Sequence, residues 1–319
     1  MTAASPFERF LDRQGFVVLD GGLATALEAA GHRLDTALWS ARLLLDAPDA
    51  IRAAHLAYLR AGADCVTTAS YQASFEGFAA AGLDAREAES LLGRSVELAR
   101  EASDAFWSAS AEREGRLRPI VAASAGPYGA YLADGSEYDG RYVIGRDALA
   151  DFHRRRLHVL AGTSADLVAF ETIPSSIEAS VIAEILAEVP ETWAWITFTC
   201  MDAERLWDGS GITEAVSAAL AAPRLAGVGV NCTAPRHVKA LVTAVRSVTD
   251  LPVLAYPNSG EVYDADAHRW VGEAAGEEWL AGASDWFAEG ARVIGGCCRI
   301  GPLTIRRLRA ELERLAGNQ

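Results

Sequence analysis

Three cysteines stand where they can act together. Cys232 follows the apolar run GVGVN (227–231), and Cys297 and Cys298 follow VIGG (293–296). Three thiolates suit zinc, a borderline-soft ion that takes sulfur at about 2.3 Å, and three protein ligands leave a fourth position for a reactant. Neighbouring residues of a strand point to opposite faces, so Cys297 and Cys298 reach one ion only where the strand ends, and Gly295-Gly296 permits that turn. A tris-thiolate site is a weak Lewis acid toward water, yet a thiol that joins it loses its proton. The expected chemistry is alkyl transfer to sulfur. Three other readings of the same residues are buried core thiols, a structural zinc site in a non-catalytic barrel, and a redox-active vicinal Cys297-Cys298 pair. Of the other two cysteines, Cys65 begins a strand and reads as core, while Cys200 ends one near the same mouth without a partner pattern.

What is missing narrows the field. Lys239 is the sole lysine, in a helix-like stretch, which leaves little room for Schiff-base chemistry. The six histidines (His32, His55, His153, His158, His237, His268) show no paired spacing of a histidine metal site. With 29 Lys+Arg against 43 Asp+Glu, the net charge of −14 repels phosphate backbones and anionic lipids, so no nucleic acid or membrane partner is expected. No apolar run approaches the roughly 20 residues of a membrane span, and Glu8, Arg9, Asp12 and Arg13 stand where a signal peptide needs apolar residues. A cytoplasmic protein is expected, and five cysteines in a chain of 319 residues do not suggest a disulfide scaffold.

Eight short apolar, β-branched runs lie at 16–19, 65–68, 120–123, 167–170, 195–198, 227–230, 253–255 and 292–294. Helix-like stretches such as 49–61, 85–107, 146–160, 176–187 and 235–248 separate them. This alternation predicts an α/β fold, a (β/α)8 TIM barrel forming one domain over residues 1–319. A doubly wound open sheet is the alternative, but its glycine fingerprint is incomplete after Gly21-Gly22. Polar or sulfur residues follow the runs: Asp20, Gln72, Ser124, Glu171, Thr199, Asn231 with Cys232, Asn258, and Cys297 with Cys298. In a barrel these strand ends converge on the face where active sites lie. The polar insertions 133–141 and 261–278 are expected to rim that face.

The chain resembles the homocysteine S-methyltransferases along nearly its whole length. The resemblance rests on LDGGLAT (19–25), ASAGPYGAYLADGSEYDG (123–140), FETIPS (170–175), GVNCTAP (229–235), YPNSGEVYD (256–264) and IGGCCRIGP (294–302), in that order and spacing. It implies a zinc enzyme that passes a methyl group to L-homocysteine and releases L-methionine, with Cys232, Cys297 and Cys298 as zinc ligands. It further implies that Asp20 and Glu171 hold the amino end of homocysteine, with main-chain groups around Gly21 and Asn231 assisting. In TTASYQAS (67–74) and FETIPS, Gln72 and Thr172 fall where the betaine-using branch carries tyrosines of its cation cage. The GSEYDG block is similar instead to the bacterial and plant branch, which implies S-methylmethionine as donor, with S-adenosylmethionine second. A transferase of the same type that prefers S-adenosylmethionine, or that acts on selenohomocysteine, is the nearest rival, and Trp39, Tyr71 and Tyr128 are candidates to face the sulfonium.

Overall fold

The computed structural model of the chain describes residues 4–32, 40–109, 111, 113–140, 142–264, 269–271 and 276–317; Trp39, Arg141 and His268 lie outside them. Among the described residues the strands are β1 (Val17–Val18), β2 (Cys65–Thr67), β3 (Ile120–Ala125), β4 (Leu167–Ile173), β5 (Ala194–Phe198), β6 (Leu225–Asn231), β7 (Val253–Tyr256), β8 (Val262–Asp264), β9 (Arg269–Val271) and β10 (Ala291–Ile294). All but β8 and β9 are parallel, in the order β1-β10-β7-β6-β5-β4-β3-β2. The two ends of that order meet: Leu19 bridges Cys65 in parallel, Asp64 N donates to Val18 O at 2.7 Å, and Asp20 N donates to Cys65 O at 3.1 Å. The ring is therefore closed, as the alternation predicts, and the open doubly wound sheet is excluded.

Each of the eight apolar runs becomes a strand. The antiparallel pair β8 and β9 was not expected and lies inside the polar insertion 261–278. The five helix-like stretches become helices with ends moved by at most two residues. The longest of them, Ala85–Ser108, opens with a capping box in which Asp84 accepts from Glu87 N and Glu87 reaches back to Asp84 N. Its buried residues recur at helical spacing and pack it against the sheet.

Side chains alternate along each strand, so every second residue points into the barrel. Cys65, Ile120, Ala122, Leu167, Ala169, Trp195, Leu254 and Val293 form its apolar interior. Phe7 and Phe10, flanking the start of the helix Glu8–Gln14, join that cluster, and Phe7 stacks on Trp195 with ring centroids 5.8 Å apart. Arg9 and Arg13 of this helix bond carbonyls of residues 118 and 115, just before β3, so the plug sits at the amino ends of the strands. The buried Asp64 anchors the same end, accepting from Val18 N and pairing with Arg309 at 2.8 Å and Arg116 at 3.2 Å. The carboxyl ends carry the open face.

Candidate active site

The same two-residue alternation sets the next inward layer. One step above Cys65 comes Thr67, above Ala122 comes Ser124, above Ala169 comes Glu171, above Trp195 comes Thr197, and above Leu254 comes Tyr256. These residues bond to one another. Ser124 donates to Glu171 Oε1, Tyr256 donates to Glu171 Oε2 at 3.1 Å, and Thr197 Oγ1 meets the Tyr256 hydroxyl at 2.6 Å. Asp20, just past β1, accepts from Thr67 N at 2.8 Å and from Thr67 Oγ1.

Above this layer lies a cavity of about 120 Å³. The predicted zinc ligands Cys232, Cys297 and Cys298 and the predicted contacts Asp20, Gly21, Gln72, Glu171, Thr172 and Asn231 line it. The three sulfurs lie within 4.8 Å of one another, and among the described residues no fourth His, Cys, Asp or Glu joins them. Two edges of the sulfur triangle, Cys232 to Cys298 and Cys297 to Cys298, measure 3.7 and 3.9 Å. A tetrahedron with metal–sulfur bonds of about 2.3 Å has edges of about 3.8 Å, so these distances fit a zinc-sized ion. Cys232 and Cys297 form a disulfide, with Cα atoms 5.5 Å apart. No disulfide scaffold is expected of the chain, and this is a single bond inside the site: the convergence that suits an ion also brings two Cα atoms within bridging range. The bond corrects the vicinal reading, since Cys298 remains a free thiol.

The backbone turn that aims the thiols is not made where expected. Gly295 and Gly296 serve close approach: a Cβ would stand 2.5 Å from Leu19 Cβ at the first and 2.2 Å from an Ile300 methyl at the second. The left-handed conformations fall on Thr172 (φ 64°), Cys232 (φ 47°) and Arg299 (φ 68°). A β-branched residue in that region costs of order 1–3 kcal/mol and persists only where its surroundings hold it. Asn231 supplies the hold, accepting from Thr172 N at 2.7 Å and donating to Thr172 Oγ1 at 2.8 Å. Its predicted place beside Gly21 in the cavity wall therefore comes with a definite side-chain role. The Tyr58 hydroxyl ties the β1 and β10 loops by donating to Gly22 O and Ile300 O.

The other expectations divide. Thr199 donates to Cys232 O and Asn258 Nδ2 approaches the same carbonyl, so both brace the Cys232 loop from outside the thiol cavity. Tyr71 lines the cavity, whereas Tyr128 packs against Tyr131, Tyr142 and Phe152. Cys65 is buried core, and Cys200 lies outside the sulfur cluster. Thr67, Tyr256, Glu137 and Tyr138 went unpredicted; the inward period marks the first two, while the one-turn helix Ser136–Tyr138 carries the others in from the 133–141 insertion.

Burial dominates the electrostatics. It pushes the Glu171 carboxyl up to about 7 against the pull of Ser124 and Tyr256. It holds Asp20 well above the usual carboxylate range, an effect the Thr67 N–H opposes and the Glu171 charge reinforces. Burial, then the charge of Glu137, pushes the Cys298 thiol up to about 12. Two acids that release protons less readily when folded make the ligand-free fold weaker as pH rises, from about the unfolded value of 4.5 through the folded value of about 7. Thermal melts of wild type between pH 5 and 8 are expected to fall more steeply than those of Glu171→Gln; parallel slopes would remove Glu171 as the source.

A family model for "Homocysteine S-methyltransferase" matches residues 17–312. The chain belongs to this family. Among its relatives, homocysteine S-methyltransferase YbgG of Bacillus subtilis is 46% identical over 96% of this chain and 97% of its own. The homocysteine S-methyltransferase of Escherichia coli is 44% identical over 97% of this chain and 99% of its own. The selenocysteine Se-methyltransferase of Brassica oleracea is 44% identical over 93% and 89%. Crystal structures of the homocysteine methyltransferase MmuM from E. coli superpose in the metallated form (TM-score 0.85, 43% identity) and the oxidised form (TM-score 0.87, 42% identity), each over 96% of this chain and 99% of MmuM. A metal-bound state and an oxidised state thus both exist in a relative of the same fold.

Proposed function

We propose that this chain is a zinc-dependent homocysteine S-methyltransferase that moves a methyl group from S-methylmethionine, or from S-adenosylmethionine, to L-homocysteine and forms L-methionine. The observation that carries the reading is the convergence of three sulfurs, two of their edges at zinc spacing, with two inward carboxylates in one cavity. Cys232, Cys297 and Cys298 would hold the ion. When bound, it supplies the charge that leaves a coordinated thiol as thiolate at neutral pH.

The chain's own residues do the rest. Asp20 and Glu171 pair with the homocysteine ammonium, and a cation entering between them draws both toward the ionised form. Ser124, Thr67 and Tyr256 fix these carboxylates by hydrogen bonds, so the amino acid enters with its sulfur directed to the cysteines. Gly21, Asn231, Gln72 and Thr172 line the path. The homocysteine S–C bond forms as the donor C–S bond breaks, with the electron pair returning to the donor sulfur and the thiol proton passing to solvent.

A closed structural zinc site is the competing reading, and the lack of a fourth ligating side chain among the described residues disfavours it. No helix among those residues is long and apolar enough to cross a membrane. A cytoplasmic setting, where thiols stay reduced, suits a site that needs free thiolates. The test is zinc per chain in reduced protein, followed by methionine formation from homocysteine with each sulfonium. About one chelatable zinc and zinc-dependent turnover are expected; failure to bind zinc under reducing conditions would overturn the proposal.

A further inference from the structure

Two residues in the wall of the thiol cavity each carry a buried oxygen with no hydrogen-bond donor. Glu137 is 6% exposed, and its Oε2 meets no partner among the described residues. Gln72, equally buried, donates Nε2 to Ala130 O at 3.2 Å and leaves Oε1 without a partner. Both residues line the cavity, and among the described residues no arginine or lysine lines it with them. A buried acceptor left unmade costs about 1–3 kcal/mol, and more when it is charged. Two in one wall point to a ligand that satisfies them.

The carboxylate is seated by design of the backbone. A Cβ at Gly129 would stand 2.5 Å from Glu137 N, so glycine there lets the Ser136–Tyr138 turn lie against the site. Tyr138 and Tyr71 line the same wall as Cys298 and Thr172. Glu137 is close enough to both Cys298 and Tyr71 for its charge to act on each.

We propose that Glu137 is the counter-charge for the sulfonium of the methyl donor, with Gln72 Oε1 against the polarised C–H groups beside it and the Tyr71 and Tyr138 rings flanking it. This rests on the reading of the donor as a sulfonium given above. A sulfonium presents charge without N–H or O–H donors, so anionic oxygen and ring faces are the groups that recognise it. In the transfer the donor's C–S bond breaks with its electron pair kept on sulfur, and the donor leaves as a neutral thioether. The charge that Glu137 faces is full in the bound donor and fades toward the transition state. Glu137 therefore strengthens donor binding without speeding the chemical step, and it loosens its hold once the methyl has moved.

The test uses the zinc-loaded full chain and Glu137→Gln, varying S-methylmethionine at saturating homocysteine. Homoleucine, in which carbon replaces the sulfonium sulfur, serves as the neutral competitor. Glu137→Gln is expected to raise the donor KM about tenfold or more, with kcat not lowered and homocysteine KM, zinc content and homoleucine Ki unchanged. A donor KM within about twofold of wild type, or KM and homoleucine Ki rising together, would overturn the proposal. Wild type alone decides the matter if the variant fails to fold: homoleucine must bind about tenfold or more weakly than the sulfonium, and near-equal binding overturns it. If wild type turns over no sulfonium at all, the functional reading falls as well; a normal wild type with an indifferent Glu137→Gln removes Glu137 only.

Discussion

Cys298→Ser is expected to lose its zinc and more than about 100-fold of its turnover while keeping the barrel. Side chains that merely orient metal ligands are worth about 10- to 100-fold, so a ligand itself sets that range as a floor. Cys298 takes part in both sulfur edges that match a tetrahedral site, at 3.7 and 3.9 Å, and no other His, Cys, Asp or Glu among the described residues is placed to replace it. A serine hydroxyl is harder and holds its proton far more tightly than a thiol, so it does not complete a thiolate set. Cys298 is also only half-buried at the cavity wall, outside the interior cluster, and its loss leaves no core void. Metal analysis, steady-state rates and a thermal melt check the three parts. Cys200→Ser is the control, expected to retain full zinc because that thiol lies outside the cluster. A Cys298→Ser protein with full zinc and full turnover would take Cys298 out of the site.

The barrel was readable because its two signals are local. Runs of β-branched residues mark strands, and alternation with amphipathic stretches marks the crossover helices, so eight such runs imply a closed ring. Position within the ring followed as well: Glu171 and Ser124 fall on the inward face at the carboxyl ends by counting in twos from Ala169 and Ala122. Tyr256 and Thr67 lie on the same count, and sequence reasoning passed over them because a tyrosine or threonine inside a strand reads as ordinary strand composition. What counting in twos does not reach is the backbone after the strand. The left-handed conformations of Thr172, Cys232 and Arg299 depend on Asn231 and on loops from other units, and nothing adjacent in sequence signals them. Glu137 is the sharpest case. A Ser-Glu-Tyr segment between glycines reads as a solvated rim, and only the close approach at Gly129 and the burial of the turn bring its carboxylate into the cavity.

Oxidation and metal loading are expected to exclude one another. Cys232 and Cys297 are joined as a disulfide, and a sulfur committed to that bond has no thiolate charge to offer an ion. One free thiol at the site, Cys298, cannot hold zinc alone. Protein treated with a thiol oxidant is therefore expected to carry at most trace zinc and to show no turnover, and reductant plus zinc should restore both together. Neither addition alone suffices: reductant opens the bond without supplying the ion, and zinc finds two of its three ligands already occupied. The same experiment separates the enzyme from a barrel whose cysteines do redox work, because such a protein would keep or gain activity on oxidation. Cys297→Ser sharpens the result, since it cannot form the Cys232–Cys297 bond and yet is expected to stay inactive under reducing conditions with zinc present. Activity in that variant would mean that Cys297 protects or regulates the site and that zinc is held by other groups.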